Sequence, residues 1–162
     1  QSAYERIFYE KYLKEISQQK GISQQILFPK TVSLSAIDYA LSFEIIDMIR
    51  NIGFNVEEFG QNTYIINGVP SQFLEEDEAE LFKSLIEQYK INENNQKTDK
   101  KEALAKTLAK RNASKMHKAL SKEEIGGLIN QLFETAMPSV SPDGMQVMSI
   151  LTLEKLASLL LN

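Results

Sequence analysis

The 162-residue chain has no cysteine, no tryptophan, a single histidine at His117 and only four prolines. Without thiols, neither disulfides nor thiolate metal sites can form, which fits a reducing cytoplasm. His117 has no cysteine or second histidine to work with and reads as a surface or helix-end residue. No apolar run approaches the ~18 residues of a membrane helix, and no secretory signal opens the chain. No Gly-rich loop able to cradle phosphates occurs either, so nothing in these residues binds ATP. The chain begins Gln-Ser-Ala-Tyr-Glu without an initiator Met and reads as a fragment of something longer.

What remains is ordinary for a globular protein, with 43% hydrophobic and 25% charged residues. The length suits one domain, or two small ones sharing a core, burying roughly two-thirds of the unfolded surface. Eighteen basic and 22 acidic side chains give a net charge of −4, which offers nucleic acid no global attraction. The average hides a local excess. Nine of the 18 basic residues lie between Lys97 and Lys122, where Asp99 and Glu102 are the only acids.

Hydrophobic spacing puts helices at both ends of the chain and strands between them, an α+β arrangement. Ser2 to about Gln19 is helical, with Tyr4, Ile7, Phe8, Tyr12 and Ile16 on one face. Gln24 to Leu34 is extended, and Pro29 inside it cannot donate to a sheet ladder. Ser35 starts a helix with Asp38 in the reciprocal capping position. Its stripe is Ile37, Leu41, Ile45, Met48, Ile49 and Ile52, and Gly53 ends it. Phe54–Phe59 and Thr63–Val69 read as a hairpin around Gly60-Gln61-Asn62. A helix from about Leu74 to Tyr89 turns Leu81, Phe82, Leu85, Ile86 and Tyr89 inward, and Ile91–Lys100 reads as a polar loop. A basic helix spans about Lys101–Lys115. Ser121 and Glu124 form a capping box before a helix whose core face is Ile125, Leu128, Ile129, Leu132 and Phe133. After a loop with Pro138, Pro142 and Gly144, Gln146–Leu151 suits a strand and Leu153–Leu161 a short apolar helix.

Three segments in order resemble the C-terminal domain of the MutL mismatch-repair family. Gln-Ser-Ala-Tyr-Glu-Arg-Ile-Phe-Tyr-Glu resembles the end of its Asp-Gln-His-Ala-x-x-Glu-x-x-x-x-Glu motif. Gly53–Pro70 resembles its signature hairpin, and Leu120–Gly144 its helix and following loop. The resemblance implies a two-part architecture: an outer dimerisation part from residues 1–23 and 111–162, and an inserted inner part, 24–110. It implies DNA mismatch repair as the function, a homodimer, and a cytoplasmic, nucleoid-associated location. For the full-length protein it also implies an ATPase using ATP and magnesium, a mismatch-recognition partner and DNA. Family members carry strands before the first helix that do not precede it here, which suggests truncation.

Many relatives cut DNA with a metal site in this domain, so the ligand positions matter one by one. The motif His falls on Gln1 and its Ala on Ser2, while the two glutamates survive as Glu5 and Glu10. The Ala-Cys-Arg motif corresponds to Ala109-Lys110-Arg111, and Cys-Pro-His-Gly-Arg-Pro to Ser141-Pro142-Asp143-Gly144-Met145-Gln146. The terminal Phe-x-Arg element is also missing. An ammonium at Lys110 repels a cation, and hydroxyl or amide groups are poor zinc ligands. The expectation is no nuclease, no metal and no cofactor in this domain. The alternative is a metal-dependent nicking endonuclease with an altered site, in which Glu5, Glu10 and Asp143 hold a hard ion. The plainer account of Glu5 and Glu10 is a charged, solvated helix face.

Three binding features remain. Gln24-Gln25-Ile26-Leu27-Phe28-Pro29 resembles the motif by which MutL proteins and others bind the replication sliding clamp. There Gln24 would anchor, and Ile26 or Leu27 would fill an apolar pocket. The plainer account is a strand with Ile26 and Phe28 in the core. Lys106, Lys110, Arg111, Lys115 and Lys118 are candidates for non-specific phosphate contact, against a solvated helix that balances the acidic run Glu75–Glu80. Val147, Ile150, Leu153, Leu156 and Leu160 are candidates for a two-fold interface, since one strand and one helix cannot hide them on a single side. Otherwise they close the chain's own core. A generic oligomerisation module without a repair role is the third possibility.

Overall fold

The computed structural model describes residues 1–95, 99–116 and 119–160. The first helix, α1 (Ser2–Gln18), turns Tyr9, Tyr12 and Ile16 inward. The expected face is thus rotated: Tyr12 and Ile16 are inside, Tyr9 joins them, and Tyr4, Ile7 and Phe8 are half-buried. The partner that sets this rotation is α5 (Lys100–Ser114), the basic helix. Its inner face carries Ala103, Ala105, Ala109 and Ala113 beside Leu104 and Leu108, all buried. Small side chains at a helix crossing let the two axes approach closely.

A three-stranded antiparallel sheet lies beside this pair in the order β1 (Gln24–Ser33), β3 (Thr63–Val69), β2 (Asn55–Glu58). The expected hairpin forms β2 and β3, with Gly60 and Asn62 at positive φ in its turn. On β1 the pairing slips. Gln25 faces Gly68 and Lys30 faces Ile66, so Ile26, Leu27, Phe28 and Pro29 together stand opposite Asn67 alone. Pro29 has no N–H to offer a ladder, and the extra residues bulge outward.

The helix expected from Ser35 to Ile52 is two helices, α2 (Ala36–Ser42) and α3 (Ile46–Ile52). Ser35 caps the first, accepting from Asp38 N (3.0 Å) and donating to the Asp38 carboxylate (2.8 Å). The break follows a buried polar contact. The Ser42 hydroxyl bonds both the Tyr39 carbonyl (2.6 Å) and the Tyr64 hydroxyl (2.8 Å), and Ile45 beyond it is fully buried. Ile37, at the far end of the expected stripe, is exposed instead. Gly53, at φ 110°, ends α3 as expected.

After one 3₁₀ turn at Ser71–Phe73, α4 (Glu78–Asn95) begins where Asp77 accepts from Ala79 N and Glu80 N, both at 3.0 Å. It starts four residues after the expected Leu74 and continues through much of the expected loop Ile91–Lys100. Ile91–Asn95 holds no Gly or Pro to stop a helix. Leu81, Phe82, Leu85, Ile86 and Tyr89 are buried, as their spacing predicts.

The C-terminal third departs most. Both halves of the Ser121–Glu124 capping box form, and α6 (Lys122–Phe133) follows. Of its expected core face only Leu132 is buried; Leu128 is half-buried, and Ile125, Ile129 and Phe133 are exposed. The strand expected at Gln146–Leu151 does not form. A single bridge joins Val140 to Gln146, and no neighbouring strand among the described residues takes up the rest of the ladder. The last helix, α7 (Leu153–Leu160), has no buried residue. Leu161 and His117 lie outside the described residues. Seven helices and one small antiparallel sheet among the described residues make the class α+β, as expected.

Candidate functional site

Three places bring together the residues singled out above. The first is the β1 bulge. Gln24 and Gln25 stay in register with Val69 and Gly68, while Ile26 is 8% exposed, Leu27 92% and Phe28 79%. Strand alternation would put Ile26 and Phe28 on one face; the bulge separates them. Ile26 is committed to the core, so Leu27 and Phe28 are the side chains on offer, with Pro29 exposed beside them. They border an open cavity of about 350 Å³ that Leu74, Lys30 and Glu78 also line.

The second place is the loop of residues 136–147, which settles on α1 and α5. Arg6, only 6% exposed, donates to the carbonyls of Val140 (2.6 Å) and Ser141 (2.9 Å) and pairs with Glu10 (3.6 Å). Glu10 in turn accepts from the backbone N–H of Ala136 (2.8 Å). Lys110 pairs with Asp143 at 2.6 Å. Ser141 is buried, its hydroxyl accepting from Met145 N (3.1 Å). Glu10, Lys110, Ser141 and Asp143 therefore meet on one loop, whereas Glu5 accepts from Gln1 Nε2 (2.9 Å). Nothing in the sequence but the Arg6–Glu10 spacing signalled Arg6, because its main partners are carbonyls 134 and 135 residues away.

These residues do not fit a divalent metal. Each loop-contacting carboxylate already faces a cation, Glu10 with Arg6 and Asp143 with Lys110. Among the described residues no group of three or more His, Cys, Asp or Glu gathers.

The basic helix is bound into its surroundings. Arg111 and Lys115 both pair with Glu76, which belongs to the acidic run, and Arg111 also donates to Ser84 Oγ (2.6 Å). Burial of Glu76 favours its neutral form, but the bonds from Arg111 and Lys115 outweigh it and hold the carboxyl below its ordinary value. Lys106 is half-buried on the same helix, and Lys118 lies outside the described residues.

The third place is the uncovered apolar face of the C-terminal third. Ile150 and Leu153 are 81% and 84% exposed, and Leu156 and Leu160 are exposed with them; Val147 is half-buried. Ile125, Ile129, Phe133 and Met137 add to the exposed apolar side chains of α6 and its following turn. Among the described residues no helix is long and apolar enough to cross a membrane.

The family model described as the MutL C terminal dimerisation domain matches residues 1–120. The DNA mismatch repair protein MutL of Prosthecochloris aestuarii is 36% identical over 154 residues, covering 95% of this chain and 25% of the relative. That of Chlorobium phaeobacteroides gives the same identity and coverage, and that of Phocaeicola vulgatus is 33% identical over 159 residues, 98% of this chain and 26% of the relative. The chain spans about a quarter of the length of these relatives. With a family model matching residues 1–120 and relatives 33–36% identical over nearly the whole chain, the chain belongs to the MutL C-terminal dimerisation domain family.

Proposed function

We propose that this domain joins two copies of a mismatch-repair protein and docks partners for it, without cutting DNA. The observation that carries the reading is the uncovered apolar face of α6 and α7, where the described residues of one chain bury only Leu132. Exposed apolar side chains in this number, along both α6 and α7, point to an interaction surface. A two-fold axis would cover both copies at once, since each brings the same face. In this reading residues 1–23 and 111–162 form the outer, dimerising part, and residues 24–110 the inner part. The ATPase with its ATP and magnesium, the mismatch-recognition partner and the main DNA contacts belong to the longer protein, acting in the cytoplasm at the nucleoid. Light scattering tests the pairing: the mass of two chains is expected, and a monomer at every concentration would exclude it.

The bulge at Gln24–Pro29 supports a docking role toward the replication sliding clamp. Leu27 and Phe28 project together from a β edge, the form in which short motifs enter apolar pockets. Leu27→Ser with Phe28→Ser removes that surface while leaving Ile26 in the core. Clamp affinity in a titration should fall at least about tenfold, roughly 1.4 kcal/mol. Unchanged affinity of the folded variant would exclude this site. DNA contact by the basic helix is less well supported, because Lys110, Arg111 and Lys115 each already face a carboxylate.

A further inference from the structure

We infer that Arg6 and Lys110 are a built-in substitute for a divalent cation, and that they hold the loop of residues 136–147 against α1 and α5. Arg6 gathers three oxygen-bearing groups, the Glu10 carboxylate and the Val140 and Ser141 carbonyls, and Lys110 meets a fourth on the same loop, the Asp143 carboxylate. Carboxylates with main-chain carbonyls are the donor set that hard divalent ions ordinarily gather. Here a guanidinium and an ammonium, fixed by covalent attachment to two packed helices, meet those oxygens instead. Arg6 suits the position because its planar fork reaches two carbonyls at once and still faces Glu10.

The burial of Arg6 makes the assignment more than a surface pairing. A charged group that deep is strongly disfavoured unless it is paired and hydrogen-bonded, so its partners are not incidental. Those partners organise the loop. Around them Ser141 N donates to Met145 O (2.7 Å), Gly144 N to Ser141 O (2.9 Å) and Val147 N to Ser139 O (2.8 Å). The loop is also the link from α6 to the segment leading into α7. Its two internal cations therefore set how the apolar C-terminal face is presented, with no exogenous ion.

This extends the non-catalytic reading of the same site, and melting and amide exchange report it separately from any nicking activity or dimerisation. The full chain should melt at the same temperature in chelator, in millimolar calcium and in millimolar manganese. Lys110→Met, at a half-exposed position that does not threaten the fold, should speed exchange of the loop amides, with Ser141 and Val147 the diagnostic ones. Arg6→Met should do so at least about tenfold. Lys110→Glu, which sets a second carboxylate beside Asp143 while Arg6 keeps the other oxygens, should speed exchange of the loop amides further than Lys110→Met. Three results would overturn the inference. They are a wild-type melting temperature that falls in chelator, a Lys110→Met loop that exchanges as in the wild type, or a Lys110→Glu loop that exchanges no faster than that of Lys110→Met.

Discussion

Residues 1–116 and residues 119–160 treat their apolar side chains in opposite ways. In the first stretch Tyr12, Ile45, Ile49, Tyr64, Ile66, Phe82, Leu85 and Leu104 are all at zero exposure, and helices and sheet share one core. In the second, only Leu132 and Ser141 are buried among the described residues, although α6 and α7 are at least as rich in Leu and Ile. Composition does not separate the two regions. The difference is that elements in the first have neighbours on several sides, whereas α6 touches the body along α1 and α7 buries nothing. A region with apolar side chains and no internal partner is built to be completed by another body, and the proposed two-fold pairing supplies one.

The contrast predicts that equal losses of apolar bulk act on different equilibria. Ile49, fully buried on α3, which packs against α1, should cost about 2–5 kcal/mol when changed to Ala, with no exchange of subunits needed to see it. Chemical denaturation of the dilute protein reads this directly. A drop that depends on protein concentration would show that the body also needs its partner to fold, and the comparison would fail.

The body was the more legible region for the same reason. Where partners lie close in sequence, local signals are enough: the β2–β3 hairpin and the Gly53 helix end form in the body as their residues predict, and outside it the Ser121–Glu124 capping box does too. Partners far along the chain are silent. Ser42 breaks the long helix because Tyr64 takes its hydroxyl, and Arg6 faces inward because Val140 and Ser141 await it. The alanines of α5 hide in a stretch whose composition reads as charged, yet they decide how closely α1 can pack. The expected strand at Gln146–Leu151 had the right residues, yet among the described residues it joins no sheet. Within the candidate site, the resemblance marked Lys110 and Asp143 separately; their meeting at 2.6 Å needed the fold.

A charge placed on the open face should act on association and leave the body alone. Ile129, exposed on α6, becomes a buried carboxylate at the proposed interface when changed to Glu. Dimer affinity should weaken by about 2–4 kcal/mol, the range of a central interface residue. Sedimentation of the variant should show single chains at concentrations where the wild type is paired, while its far-ultraviolet dichroism stays the same. If Ile129→Glu instead melts cooperatively at a much lower temperature as a dimer, the face belongs to a core and the two regions are not distinct.

The smallest effect lies where the body is held by charge rather than by burial. Glu76 bridges Arg111 of α5 and Lys115 just past its end from the turn before α4, and its carboxyl is held below the ordinary 4.5 despite the opposing effect of burial. A folded-state pKa below the unfolded one adds stability that is fully present above the unfolded value. That stability is lost as pH falls through the folded value. Glu76→Gln should therefore cost about 1 kcal/mol at neutral pH, a figure kept small because the group is partly solvated. The gap between variant and wild type should close on acidification below the usual carboxylate range, and narrow in high salt. A gap of constant size down to strongly acidic pH would mean that Glu76 acts through shape rather than charge, and that this edge of the body is packed like its interior.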